Sequence, residues 1–215
     1  MSVFTNRRIP RRPDIWPRGW RRHPLVLVVV LIVIGAIAWN RSRTPFGTDH
    51  ERYDGKTFNC IRVVDGDTLD IDTPDGMKAS TRIRLWGVDT PETVKPNTPP
   101  MYFGHEASAY VKSRMQGKPV RIALAPSKTR DKYDRLLAYV YPAGGDSMLN
   151  EDIIANGYGY ADSRFPHVWK ERFSQLETRA RKNKLGLWAS VTIGQMPDWR
   201  QRTEEYHSKS KTVTR

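Results

Sequence analysis

Arg84-Leu85-Trp86-Gly87-Val88-Asp89-Thr90-Pro91-Glu92 reads as the end of a β-strand that runs until Pro91 breaks it. Strand side chains alternate, so Arg84 and Leu85 point to opposite faces. Pro91 has no N–H for a ladder and a fixed φ, so the Asp-Thr-Pro-Glu end turns out of the sheet. An arginine, an aspartate and a glutamate are left together at its rim. Two carboxylates three positions apart on a rigid turn can divide work, one holding a hard metal ion and the other handling a proton.

About twenty residues upstream, Val63-Val64-Asp65-Gly66-Asp67-Thr68-Leu69 places a second acidic turn between two β-branched runs. This is a hairpin signature, and pairing of its strands with the Arg84 strand brings Asp67 beside Asp89. Downstream, Asp131-Lys132-Tyr133-Asp134-Arg135 precedes the strand-like Leu136–Tyr141 and sets a second arginine at a strand entrance. Taken singly these motifs have plain readings. Asp-Gly-Asp is a common turn, most arginines are surface or salt-bridged, and Tyr133 reads equally as an aromatic packed at a strand edge.

Taken in order and at these separations, Asp-Gly-Asp-Thr, Arg-x4-Asp-Thr-Pro-Glu and Asp-Lys-Tyr-x-Arg resemble the staphylococcal nuclease (thermonuclease) family of calcium-dependent phosphodiesterases. The resemblance runs from Thr57 to Trp188 and takes in Gly104-x-Glu106-Ala107-Ser108 and Leu149-Asn150-Glu151. It implies Ca²⁺ held by Asp67, Asp89 and the main-chain carbonyl of Thr90, with Asp65 behind these ligands. It implies Arg84 and Arg135 on the phosphate, Glu92 at the position of the general base, and Lys132 and Tyr133 lining the nucleotide pocket. The implied reaction is attack of water on phosphorus in DNA and RNA with little sequence preference, leaving 3′-phosphate ends. Two positions depart from the pattern. Asp134 stands where the family commonly has glycine, and its charge beside Arg135 is expected to weaken phosphate binding. Counting from Gly157, the family's base-stacking tyrosine falls near Asp162 or Ser163, which leaves Phe165 as the stacking residue or none.

The candidate residues also suit this chemistry on their own terms. A phosphodiester needs a cation on its oxygens, donors for the charge that develops there, and a base for water. Asp67, Asp89 and a carbonyl are an oxygen-only set suited to Ca²⁺. Each arginine can donate two parallel N–H bonds, which lysine cannot.

Of the net charge of +13, residues 1–50 carry +7 and 190–215 carry +2, so the middle of the chain is only mildly basic and any nucleic-acid contact is local. Seven arginines in residues 1–23 precede an uncharged run, Leu25–Trp39, within a segment bounded as 24–39. The run is short for a spanning helix, which suits a signal peptide, as does Ala36-x-Ala38. The long basic leader and Trp16, Trp20 and Trp39 suit an uncleaved anchor. Both readings export the rest of the chain and leave the leader in the cytoplasm; the anchor, and with it a membrane location, is preferred. Residues 40–56 read as a linker and 190–215 as a disordered basic tail. Cys60, the single cysteine, falls in an apolar strand and is structural.

Residues 57–189 read as the folded domain. Thr57–Val64, Asp67–Asp72, Lys78–Val88, Val120–Ala125 and Leu136–Tyr141 have strand patterns, with a turn at Thr73-Pro74-Asp75-Gly76. Glu106–Met115, Leu149–Asn156 and His167–Lys182 have helical spacing. The fold class is α+β: a five-stranded OB-type barrel with three helices, preceded by one N-terminal transmembrane or signal helix. The proline-rich loop Thr93–Phe103, with Lys95, is either a cover for the site or a spacer. The histidines show no zinc spacing, and no Gly-rich phosphate loop is present. A monomer is expected. Two other readings stay open: a non-catalytic OB module that binds nucleic acid or protein, and a phosphodiesterase for small nucleotides.

Overall fold

The computed structural model describes residues 28–36, 47–94, 98–126 and 128–213. These belong to two units, one within Met1–Phe46 and the other spanning Gly47–Arg215. In the first, residues 28–36 are helical, with apolar side chains from Val28 to Ile34 exposed. Among the described residues no helix is long and apolar enough to cross a membrane. The basic leader, the remainder of 24–39 and residues 40–46 lie outside the described residues.

The second unit holds strands β1 (Thr57–Asp65), β2 (Thr68–Ile71), β3 (Thr81–Leu85), β4 (Val88–Asp89), β5 (Pro119–Leu124), β6 (Leu136–Pro142) and β7 (Tyr160–Ala161). Five of them close a barrel in the order β1-β2-β3-β6-β5, as expected for an OB-type fold, while β4 and β7 pair as a separate ribbon. The β3–β6 pairing is parallel and the other barrel pairings are antiparallel. Alternation fixes the faces. In β3, Thr81, Ile83 and Leu85 point into the core, and Arg82 and Arg84 lie between them. Cys60 is buried in that core, and burial pushes its thiol up to about 11, which suits the structural role expected.

The third strand ends earlier than Pro91. The chain leaves the barrel at Trp86-Gly87, where Gly87 has φ +76 and its missing Cβ makes room for the rings of His167 and Phe173. Val88 and Asp89 then pair with Ala161 and Tyr160. This departure leaves Asp89 within hydrogen-bond reach of Arg84 on β3.

Helices α1 (Asp49–Tyr53), α2 (Gly104–Met115), α3 (Leu149–Ala155), α4 (Lys170–Lys182) and α5 (Asp198–Val213) complete the unit. The middle three match expectation to within a few residues; α1 and α5 correct it. The end of the supposed linker is a capped helix. Thr48 Oγ1 accepts from the Glu51 N–H, and Glu51 Oε2 accepts from the Thr48 N–H. Tyr53 is wholly buried against Phe58, and Arg130 ties Asp49 to Asp75 at 2.8 and 2.7 Å.

The supposed disordered tail is likewise ordered from 190 to 213. Met196 and Trp199 join Tyr160, Ala180, Leu187 and Trp188 in a second core. Arg200 Nη2 meets Glu177 Oε2 at 2.7 Å, with both side chains buried. Glu177 Oε1 also accepts the Ala161 N–H, so one carboxylate joins β7, α4 and α5. Apolar burial supplies the attraction, and the buried pair fixes the register, because either charge left alone there would be costly.

Candidate active site

The hairpin between β1 and β2 carries Asp65-Gly66-Asp67 onto Thr90. A Cβ on Gly66 would fall 2.7 Å from Thr90 Oγ1, so only glycine lets the two turns approach this closely. The Thr90 N–H donates to Asp67 Oδ2 at 2.9 Å and its hydroxyl donates at 3.2 Å. Asp67 Oδ1 accepts from Thr68, and the Asp67 N–H donates to Asp65 Oδ1. Asp67 and Asp89, which sequence reasoning brings together, thus meet through Thr90.

Arg84 lies between them. Its Nη2 donates to Asp89 Oδ1 at 2.8 Å, and its Nη1 sits 2.6 Å from Asp67 Oδ2. Nη1 is fully buried, and its contact with Asp67 is an ion pair without hydrogen-bond alignment. Two buried carboxylates, Asp65 and Asp67, and the partly exposed Asp89 crowd this one guanidinium. Burial, with the adjoining Asp67 charge, raises the Asp65 pKa. Burial raises that of Asp89 too; Arg84 opposes the shift and Asp67 adds to it.

Asp89 has two further partners that sequence reasoning did not assign to the site. The Trp199 indole Nε1 donates to its Oδ2 at 2.7 Å, and Arg164 Nη2 lies 3.3 Å from its Oδ1. Arg164 is also held by Asp162 and lies over the Trp199 ring, 4.5 Å from its centroid. A tryptophan in a polar tail, behind the cap signature Thr192-x-x-Gln195, was the available signal for this contact.

Glu92 follows Pro91 on the same turn. Its Oε1 accepts the N–H groups of Thr93 and Val94, both at 2.9 Å, and its carbonyl accepts the Met101 N–H. The loop after Glu92 is therefore pinned at its base, while Lys95 lies outside the described residues.

Arg135 enters β6 two positions before Leu137, the strand partner of Arg84. Its side chain pairs with Asp131, through Nε at 2.7 Å and Nη2 at 2.6 Å. Tyr133 is 66% exposed, so it is not a packed strand-edge aromatic. Lys132 and Arg135 flank its ring at 4.9 and 5.5 Å. The expectation for Asp134 is also corrected. It has φ +65, the left-handed conformation that glycine adopts freely, and its carboxylate turns to Lys78 and Arg130 instead of Arg135. Phe165 is half exposed and stacks on Trp86.

For a cation, the available set is oxygen-only: Asp67, Asp89 and the Thr90 carbonyl, with Asp65 behind. Its excess negative charge over Arg84 suits a hard ion. Among the described residues no three His, Cys, Asp or Glu side chains converge in metal-ligand geometry. The fit therefore rests on charge and donor type.

Residues 82–190 match the family described as staphylococcal nuclease homologue. The thermonuclease of Staphylococcus hyicus is 36% identical over 168 residues, covering 77% of this chain and 96% of that protein. The thermonuclease of Staphylococcus intermedius is 34% identical over 165 residues, covering 76% and 95%. Endonuclease YncB of Bacillus subtilis (strain 168) is 32% identical over 156 residues, covering 70% and 71%. With likeness running through nearly the whole length of the two thermonucleases, and with a closed five-stranded barrel carrying the three motifs, this chain belongs to the staphylococcal nuclease family.

Proposed function

We propose that this protein is a Ca²⁺-dependent nuclease that hydrolyses phosphodiester bonds in DNA and RNA with little sequence preference and leaves 3′-phosphate ends. The observation that carries the reading is Arg84, paired with both Asp67 and Asp89 at 2.6 and 2.8 Å, on the strand that leads into the turn bearing Glu92. The thermonucleases and endonuclease among its relatives support the same reading.

In this mechanism Asp67, Asp89 and the Thr90 carbonyl would hold a calcium ion, and Asp65 braces the Asp67 turn. The ion, when bound, draws negative charge from the phosphate oxygens. Arg84, set between Asp67 and Asp89, donates to an equatorial phosphate oxygen. Arg135, held ready by Asp131, donates to another. Glu92 takes the proton of the attacking water as its oxygen bonds to phosphorus; the P–O5′ bond breaks, and the 5′-oxygen leaves and is protonated to the hydroxyl. Lys132 and the exposed Tyr133 face the nucleotide, and Phe165 offers a ring for a base. A monomer suffices for all of this. The basic leader and the apolar run after it anchor the chain in a membrane, with the barrel exported.

Digestion of plasmid DNA and of RNA by the full chain in Ca²⁺, in Mg²⁺ and in EDTA tests the reading. Cleavage is expected in Ca²⁺ and little in Mg²⁺, whose strict octahedral shell fits so few ligands poorly. Full activity in EDTA sinks the calcium assignment. No cleavage under any condition, with strand binding retained, favours the non-catalytic module.

A further inference from the structure

Beside Asp89, a groove of about 400 Å³ is walled by Ser163, Arg164, Trp199, Arg202 and Thr203. Two of these walls, Arg164 and Trp199, are the side chains that touch Asp89, so the groove continues directly from the acidic centre. Three of the five come from α5, beyond the residues 82–190 that match the family.

The lining has a definite chemistry. It presents two guanidinium groups, two hydroxyls and an indole, with no carboxylate among them. Around it, each other arginine is spoken for: Arg84 by Asp67 and Asp89, Arg200 by Glu177 and Glu204, Arg181 by Glu204. Arg164 commits Nε and Nη2 to Asp162 and Asp89, which leaves its Nη1. Arg202 is exposed, and among the described residues no hydrogen bond or ion pair holds it. The Thr203 hydroxyl donates to the Trp199 carbonyl, so Ser163 is the hydroxyl left to donate. A planar guanidinium left unpaired beside a second one suits a phosphate oxygen.

We propose that this groove binds a backbone phosphate of the nucleic-acid strand, adjacent to the phosphodiester placed at Arg84. Arg202, the Arg164 Nη1 and the Ser163 hydroxyl are its donors. The inference rests on the nucleic-acid reading above and extends it: the C-terminal helix lengthens the strand-binding path beyond the barrel.

The test is fluorescence anisotropy of a short labelled single-stranded DNA with the full chain in detergent and EDTA, over a range of salt concentrations. Arg202→Gln should weaken binding and lower the slope of log K against log salt by about 0.7, the loss of one phosphate contact on a single strand. Arg179→Gln, which removes an equal charge from the exposed face of α4, should leave the slope at the parental value. Equal behaviour of the two variants, a parental slope for Arg202→Gln, or no binding by the parent overturns the proposal. Cleavage is assayed separately. A parent that cuts while Arg202→Gln keeps its slope sinks the groove and spares the nuclease. An Arg202-dependent slope in a protein that never cuts does the reverse.

Discussion

Glu92 shows how one side chain can serve two ends. Its Oε1 closes the turn through the N–H groups of Thr93 and Val94, and the carboxylate is also the proposed base. Glu92→Gln keeps a carbonyl oxygen for both N–H groups, so the turn should survive. If the base assignment holds, kcat should fall by about 10²- to 10⁴-fold with calcium and strand affinity little changed. Steady-state kinetics beside calorimetric calcium titration decide it, and a near-parental kcat ends the proposed mechanism. Gly66 is tested through packing. Gly66→Ala drives a methyl to 2.7 Å from Thr90 Oγ1, and relief requires the two turns to part. Overpacking of this kind costs about 1–3 kcal/mol, so the denaturation midpoint should drop and calcium affinity with it. A variant of parental stability and affinity would show that the turns are not held together as described. At this scale the sequence was informative. Asp65, Asp67, Arg84, Asp89, Glu92 and Arg135 could be named as candidates because their three motifs, taken in order, resemble the family, although each motif alone has a plain reading. Arg164 and Trp199 were not, because their partner Asp89 is distant in sequence and no local spacing reports it.

Among the elements, those with strong local periodicity were legible, and those defined by what they pack against were not. The five barrel strands and α2, α3 and α4 follow alternation or helical spacing. The β4–β7 ribbon is two residues on each side, too short for any pattern, and the left-handed turn at Gly87 creates it. α5 is polar on most of its surface, so it reads as solvated tail until Glu177 and Asp89 are in place to receive Arg200 and Trp199. Its tie to the site can be probed directly. Trp199→Phe keeps an aromatic ring in the second core but removes the N–H on Asp89. The expected stability loss is about 1 kcal/mol, the ordinary value of one hydrogen bond. Calcium affinity should change as well, since Asp89 loses a donor that fixes its carboxylate. A shift in stability with calcium affinity untouched would make Trp199 a packing residue alone.

For the whole molecule, charge asymmetry sets the expected topology. Seven arginines precede the apolar run, against Arg41 and Arg43 behind it, so the leader should stay in the cytoplasm. Protease added to spheroplasts should then degrade the barrel domain and spare the leader; protection of the domain reverses the assignment. The reach of the Trp199 indole has a temporal side. Asp89 receives this donor from 110 residues further along the chain. At about 5–20 residues per second, the ribosome needs roughly 5–20 s to make that stretch. Throughout that interval the aspartate lacks its indole, and β5 and β6, which close the barrel, are still being made for part of it. The tie between Asp89 and Trp199 can therefore form only after the barrel and α4 have been made.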